Sequence, residues 1–185
     1  RLRPEPGVPG QVVALGELNR DDSLSLVFEQ AESTDTAGPA HLNDADAEAM
    51  YTIVGGNPLA LRLAAALSAV QPLEGLLRDL RERRTRSVDD LYRHIYWRLW
   101  QALSPNAQAL LIAMPLVAEM GADTDQLAAI SGLPDEELWP AIHELWGRSL
   151  LETRGTARDR RYGIHRLTET FVQTDLTGWR GQPGD

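Results

Sequence analysis

The sequence predicts a mainly helical protein in two units, a helical bundle followed by three short helices and a small β-hairpin. Three observations predict it. Apolar residues recur at helical spacing between polar caps through the first hundred residues. The rhythm shortens after Leu103. The clearest pair of β-compatible runs comes only near the end, split by a charged, glycine-containing stretch.

Each element has a local cause. The run QVVALGEL, residues 11–18, has β-branched residues before a glycine and predicts a brief strand or extended entry. Asn19 then caps a helix whose first turn carries Asp21 and Asp22, with Leu24, Val27, Phe28 and Ala31 as its inner stripe. A polar loop with glycine and proline, residues 33–41, separates it from a helix begun by Asn43 or Asp44, which turns Ala49, Met50, Ile53 and Val54 inward and stops at Gly55. Pro58 suits the first position of a third helix, apolar nearly all round and so central. A fourth helix, residues 73–83, sets leucines against arginines. A fifth is striped by Leu91, Ile95 and Leu99, beside Tyr92, Tyr96, Trp97 and Trp100.

Ser104 and Pro105 form a cap and first-turn proline for a helix that Pro115 ends. Asp123 or Thr124 caps a short helix closed at Gly132. A third runs from about Asp135 to Trp146, where Pro140 should break a hydrogen bond or shift the start. SLLET and RYGIH are the arms of the hairpin, with Gly155 near its exposed tip, and a last helix from Arg166 to about Leu176 rests on Leu167 and Phe171. Three short helices and a hairpin are the order of a winged-helix domain. The expected organisation is an entry segment at 1–18, the helical bundle at 19–102, the winged-helix unit at 103–176 and a linker or tail at 177–185.

Composition narrows the function. The 185 residues are 43% hydrophobic, enough to bury real cores, and 18 basic against 27 acidic residues give a formal charge of −9. Such a chain repels phosphate polyanions on average and has no pull toward an anionic membrane. Cysteine is absent, which excludes disulfides and thiolate metal sites, and no apolar run predicts a membrane span. A soluble, cytoplasmic protein is expected. Every basic residue is arginine, so the lysine of a GxxxxGK[ST] phosphate loop is missing. The opening RLRPEPGVPG lacks the apolar core of a signal peptide and reads as a cut within a longer protein.

GGNPLAL at residues 55–61 and YGIHRL at 162–167 resemble, in content and separation, two motifs of the STAND-class signalling NTPases, also called NB-ARC or AP-ATPases. VVALGELNRDDSLSLV resembles the link from their ATPase core into the helical ARC1 subdomain, and LSPNAQALLIAMPLV the opening of their winged helix, so the likeness covers nearly the whole chain. The resemblance implies a regulatory, non-catalytic part of a nucleotide-dependent oligomerisation switch, closing over ADP held mainly by a P-loop domain not contained in these residues. Its partners would be that P-loop domain and, on activation, other protomers. The cofactor would be ADP or ATP in the longer protein, with weak or no binding by this chain alone.

Four residues carry that implication. Pro58, in a tight Gly-Gly-Asn turn, would pack its ring on the adenine, with Gly56 letting backbone come close. His165 would reach the β-phosphate and lock the closed state, the polyanion favouring its charged form. Arg1 would stand at the family's sensor 1 arginine, with Arg3 the alternative position. The family pattern is departed from at Ile164, where plant members have Met, and at Arg166, where they have Asp. Beside this stands a plainer account of the same residues: Gly55 and Gly56 end one helix, Pro58 starts the next, and His165 is satisfied at the hairpin-to-helix junction.

His41, His94 and His143 fit no metal spacing, the arginines at 78–86 form a solvated face, and the tryptophans are expected as core or contacts between subdomains. The alternative function is a DNA-binding winged-helix regulator whose helical region dimerises or carries the effector. Against it, the helix that would enter the major groove carries Asp135, Glu136, Glu137 and Glu144 and no arginine, leaving nucleic acid unlikely as a partner. No recurring period supports a repeat scaffold.

Overall fold

Asparagine and serine side chains start four of the five helices of the first unit, in the computed structural model that describes residues 16–33, 42–156 and 158–178. The expected residues Arg1, Arg3 and His41, most of the extended entry, most of the loop at 33–41 and most of the tail lie outside that range. Helix α1 (Arg20–Ser33) is capped by Asn19, whose side-chain oxygen accepts the N–H of Asp22 at 2.9 Å. Asn43 and Asp46 cap α2 (Asp44–Val54) reciprocally, each side chain accepting the other's backbone N–H. Asn57 accepts from Leu59 and Ala60 at the start of α3 (Pro58–Ser68), with Pro58 at its first position. Then come α4 (Leu73–Arg84) and α5 (Val88–Gln101), the latter capped by Ser87.

The third helix is the hub. Ala60, Leu61, Leu63 and the run from Ala64 to Leu67 are all buried, and the helix packs on α1, α2, α4 and α5. Burying a leucine fully contributes about 2 kcal/mol, so this one helix organises the first core. The arginines of α4 lie mostly at the surface, as a solvated face requires, but Arg84 also turns back to donate to the carbonyl of Ile53 at the end of α2.

The second unit holds α6 (Pro105–Ala113), a 3-10 turn (Met114–Val117), α7 (Thr124–Ser131) and α8 (Asp135–Gly147). Strands β1 (Glu152–Gly155) and β2 (Arg160–Gly163) pair antiparallel, Glu152 opposite Gly163 and Gly155 opposite Arg160. Ala122 exchanges both backbone hydrogen bonds with Tyr162, at 2.8 and 2.7 Å, which adds a single rung to the outer side of β2. Helix α9 (Arg166–Phe171) continues as a π-helical turn (Val172–Leu176).

One expectation is corrected and two are narrowed. Of the two outcomes expected at Pro140, the structure realises the first: it sits within α8 at an exposed position, where the one bond its missing N–H forfeits faces water, and the start of the helix is not shifted. The last helix rests on Thr168, Phe171 and Val172, while Leu167 is 40% exposed, because α5 covers the opposite side of the helix. Trp139 and Trp146 are also about half exposed rather than buried.

The chain turns between α5 and α6 at Ala102 and Leu103, and the buried side chains on the two sides form one contiguous core. Across it Tyr96 stacks on Phe171 at 5.2 Å, Trp97 meets the same ring edge-on, and the Tyr96 hydroxyl shares a hydrogen bond with Thr168 at 3.1 Å. Burial pushes the Tyr96 phenol up to about 12.

Candidate functional site

The turn from α2 to α3 answers why two glycines stand there. Gly55 closes α2 with φ +77, its N–H bonded to Tyr51, a conformation that a side chain resists. Gly56 is tight for another reason. Its carbonyl accepts the N–H of Leu18 at 2.8 Å, and a Cβ built on Gly56 would lie 2.3 Å from the Leu18 carbonyl oxygen. The close backbone approach therefore serves the chain's own residues 17–18. Pro58, just beyond, remains exposed.

His165 leaves β2 as the cap of α9. Its Nδ1 accepts the backbone N–H of Leu167 at 3.1 Å, which assigns the proton of the neutral ring to Nε2. An imidazolium has no acceptor nitrogen, so charging this ring sacrifices the cap. With Nδ1 engaged by the cap, Nε2 is the ring nitrogen left to act as a donor.

Pro58 and His165, far apart in sequence, line one cleft of about 460 Å³ together with Asn57, Leu59, Arg62, Glu152 and Leu167. A second cavity of about 380 Å³ shares Leu59, Arg62 and Glu152 and continues between α1 and the end of α8, along Gln30, Trp146 and Ser149. Arg62 is exposed and forms no ion pair among the described residues, whereas Glu152 is paired with Arg154 at 3.4 Å. The cleft thus offers an apolar ring, a ring N–H and a free guanidinium.

Of the four expected site residues, two meet here. Gly56 packs under Leu18 instead of lining the cleft, and Arg1 is outside the described residues. Sequence reading missed Arg62, although a signal was present: it is the one charged residue in an otherwise apolar α3. Glu152, Gln30 and Ser149 gave no comparable signal.

Several polar groups elsewhere have structural partners. Glu144 accepts from the Ser104 N–H and hydroxyl and pairs with Arg148 at 3.0 Å, leaving Asp135, Glu136 and Glu137 as the exposed acids of α8. Arg161 reaches Gly121 O and Asp159. Among the described residues no cluster of His, Asp or Glu could hold a metal, and no helix is long and apolar enough to cross a membrane. No family model and no curated protein matches this sequence.

Proposed function

We propose that this chain is the regulatory part of a STAND-class, nucleotide-dependent switch. In this reading α1 to α5 correspond to an ARC1-like bundle and the second unit to a winged helix. Together they close over ADP held mainly by a P-loop domain outside these residues. The observation that carries it is the shared cleft: the two residues singled out by the motif resemblance, Pro58 and His165, line the same surface across the two units.

The chemistry fits the role. A proline ring fixed at the first turn of α3 offers a rigid apolar face that needs no ordering on binding. The Nε2–H of His165 can donate to a phosphate oxygen, and Arg62 adds a cation to the same cleft. These groups leave most of the charge of a diphosphate unmet, so the chain alone binds ADP weakly. It carries no lysine for a phosphate loop and hydrolyses no ATP by itself.

The test is made on the complete gene product. Its sequence should contain a GxxxxGK[ST] loop ahead of this region, and the purified protein should carry ADP. Losing a hydrogen bond to a charged group costs about 1.5 to 3 kcal/mol, so His165→Ala should speed ADP release roughly 10- to 150-fold and allow oligomerisation without the activating signal. A product without that loop, or one whose ADP exchange is unchanged by Pro58→Ala and His165→Ala together, overturns the reading.

A further inference from the structure

Gln30 interrupts the inner face of α1. It is 7% exposed, and its amide reaches across to the second unit, where Nε2 donates to the Gly147 carbonyl and Oε1 accepts from the Ser149 hydroxyl, both at 2.6 Å. Ser149 has φ +55, alone among the described non-glycine residues in being positive. A residue with a Cβ resists that conformation, and it persists where surrounding bonds enforce it. The turn at residues 147–149 is further held by the N–H groups of Leu150 and Leu151, both bonded to Leu145 O. A buried amide is tolerated while its hydrogen bonds replace those of water, and two of the bonds that Gln30 makes require the docked turn.

We infer that Gln30 and the turn at 147–149 form a clasp that sets the width of the cleft between the two units, and that the cleft widens by release of this clasp. Gln30 and Ser149 line the cavity of about 380 Å³ that shares Leu59, Arg62 and Glu152 with the Pro58–His165 cleft. Ser149 lies just ahead of β1, whose partner β2 leads through Ile164 to His165, so displacement of the turn is passed to the hairpin and its histidine. A further set of contacts between the units lies where α5 meets α9 and its continuation: Phe171 packs against Tyr96 and Trp97, the Tyr96 hydroxyl shares a hydrogen bond with Thr168, and Arg93 pairs with Asp175 at 3.0 Å. That set lies just before the covalent turn at Ala102 and Leu103, where a rotation displaces atoms least, whereas the clasp joins residues remote in sequence and its short hydrogen bonds are lost over a small displacement, which makes the first a pivot and the second a catch. The cavity has room for the water that replaces the broken bonds. The clasp belongs to the 185-residue chain itself and does not depend on nucleotide.

The sequence contains no cysteine, so spin labels can be introduced uniquely at Glu74→Cys on α4 and Asp125→Cys on α7, both exposed. Pulsed electron spin resonance on the otherwise unaltered chain, without nucleotide, should give one narrow distance population. Gln30→Ala and Ser149→Gly should each raise a wider population about tenfold, a change of the size one hydrogen bond supports, and the double variant should widen it little further, because the two residues share one catch. Glycine adopts positive φ readily, so Ser149→Gly removes the hydroxyl without straining the turn. Far-ultraviolet circular dichroism checks the fold. A broad distribution in the parent chain, an unchanged one in both single variants, or loss of helical signal in Ser149→Gly would each overturn the clasp.

Discussion

The Nδ1 atom of His165 accepts the backbone N–H of Leu167 at 3.1 Å, so the same ring that faces the cleft also caps α9. The two duties can be separated. His165→Ala removes both and should cost the 185-residue chain about 1 kcal/mol in urea denaturation. His165→Asn retains a capping oxygen and should restore that stability to within a few tenths, while still lacking the distal ring N–H. If Asn fails to restore stability where Ala lost it, capping is not what His165 contributes.

Gly56 and Gly55 should respond differently to alanine. At Gly56 the new methyl would meet the Leu18 carbonyl oxygen at 2.3 Å, a backbone atom that moves only if the bonds between residues 17–18 and the turn break. Gly55→Ala meets no atom closer than 3.5 Å and suffers only the positive φ, at about 1 kcal/mol. The expected order in chemical denaturation is therefore Gly56→Ala the more destabilising, by roughly 2 kcal/mol or more. Equal losses would show that the contact with Leu18 yields easily.

Tyr96 and Thr168 should be coupled. Tyr96→Phe leaves the fully buried Thr168 hydroxyl without its partner, and Thr168→Val does the reverse, each costing about 1 to 2 kcal/mol. The double variant should cost clearly less than the two losses added together, as a double-mutant cycle would record.

The same phenol sets a limit at high pH. Its folded-state value, raised to about 12 by burial, lies above the unfolded value of 10.0, so the folded protein holds the proton longer. The stabilisation is fully present below pH 10 and drains away as pH rises toward 12. Tyr96→Phe should flatten that decline in thermal unfolding scans. An identical alkaline slope in the variant assigns the loss to other groups.

His94 works at the acid side. Its Nε2 is buried without a hydrogen-bond partner among the described residues, and burial first, then the charge of Arg83, lowers its pKa below the ordinary 6.5. Arg98 acts in the same direction, and Asp79 and Glu82 oppose it. The unfolded chain then takes up the proton first, so stability is present above pH 6.5 and falls as pH drops from there toward the folded value. His94→Gln should remove that component of the acid dependence, visible as a shallower change of melting temperature between pH 7 and pH 5. No difference from the parent would place the acid sensitivity elsewhere.

Local bonds made most of the fold legible from sequence alone. Asn19, Asn43, Ser104 and Asp123 cap helices through hydrogen bonds to N–H groups three residues ahead, so the cap and its target lie in one short word of sequence. The apolar stripe of α3 and the hairpin arms around Gly155 are local in the same sense, because a period of 3.6 or 2 is a property of adjacent residues. What those patterns omit is which neighbour covers each face. Leu167 and Trp146 look like core residues, and among the described residues they stay partly exposed, each on the wall of a cavity. Gly56 under Leu18, Gln30 against Ser149 and Pro58 beside His165 are encounters between residues far apart in the chain, and only tertiary packing decides them. Helix caps and periodicity are written by short-range hydrogen bonding; the cleft exists because burial of one contiguous core brings residues far apart in the chain together, and no local pattern contains that distance.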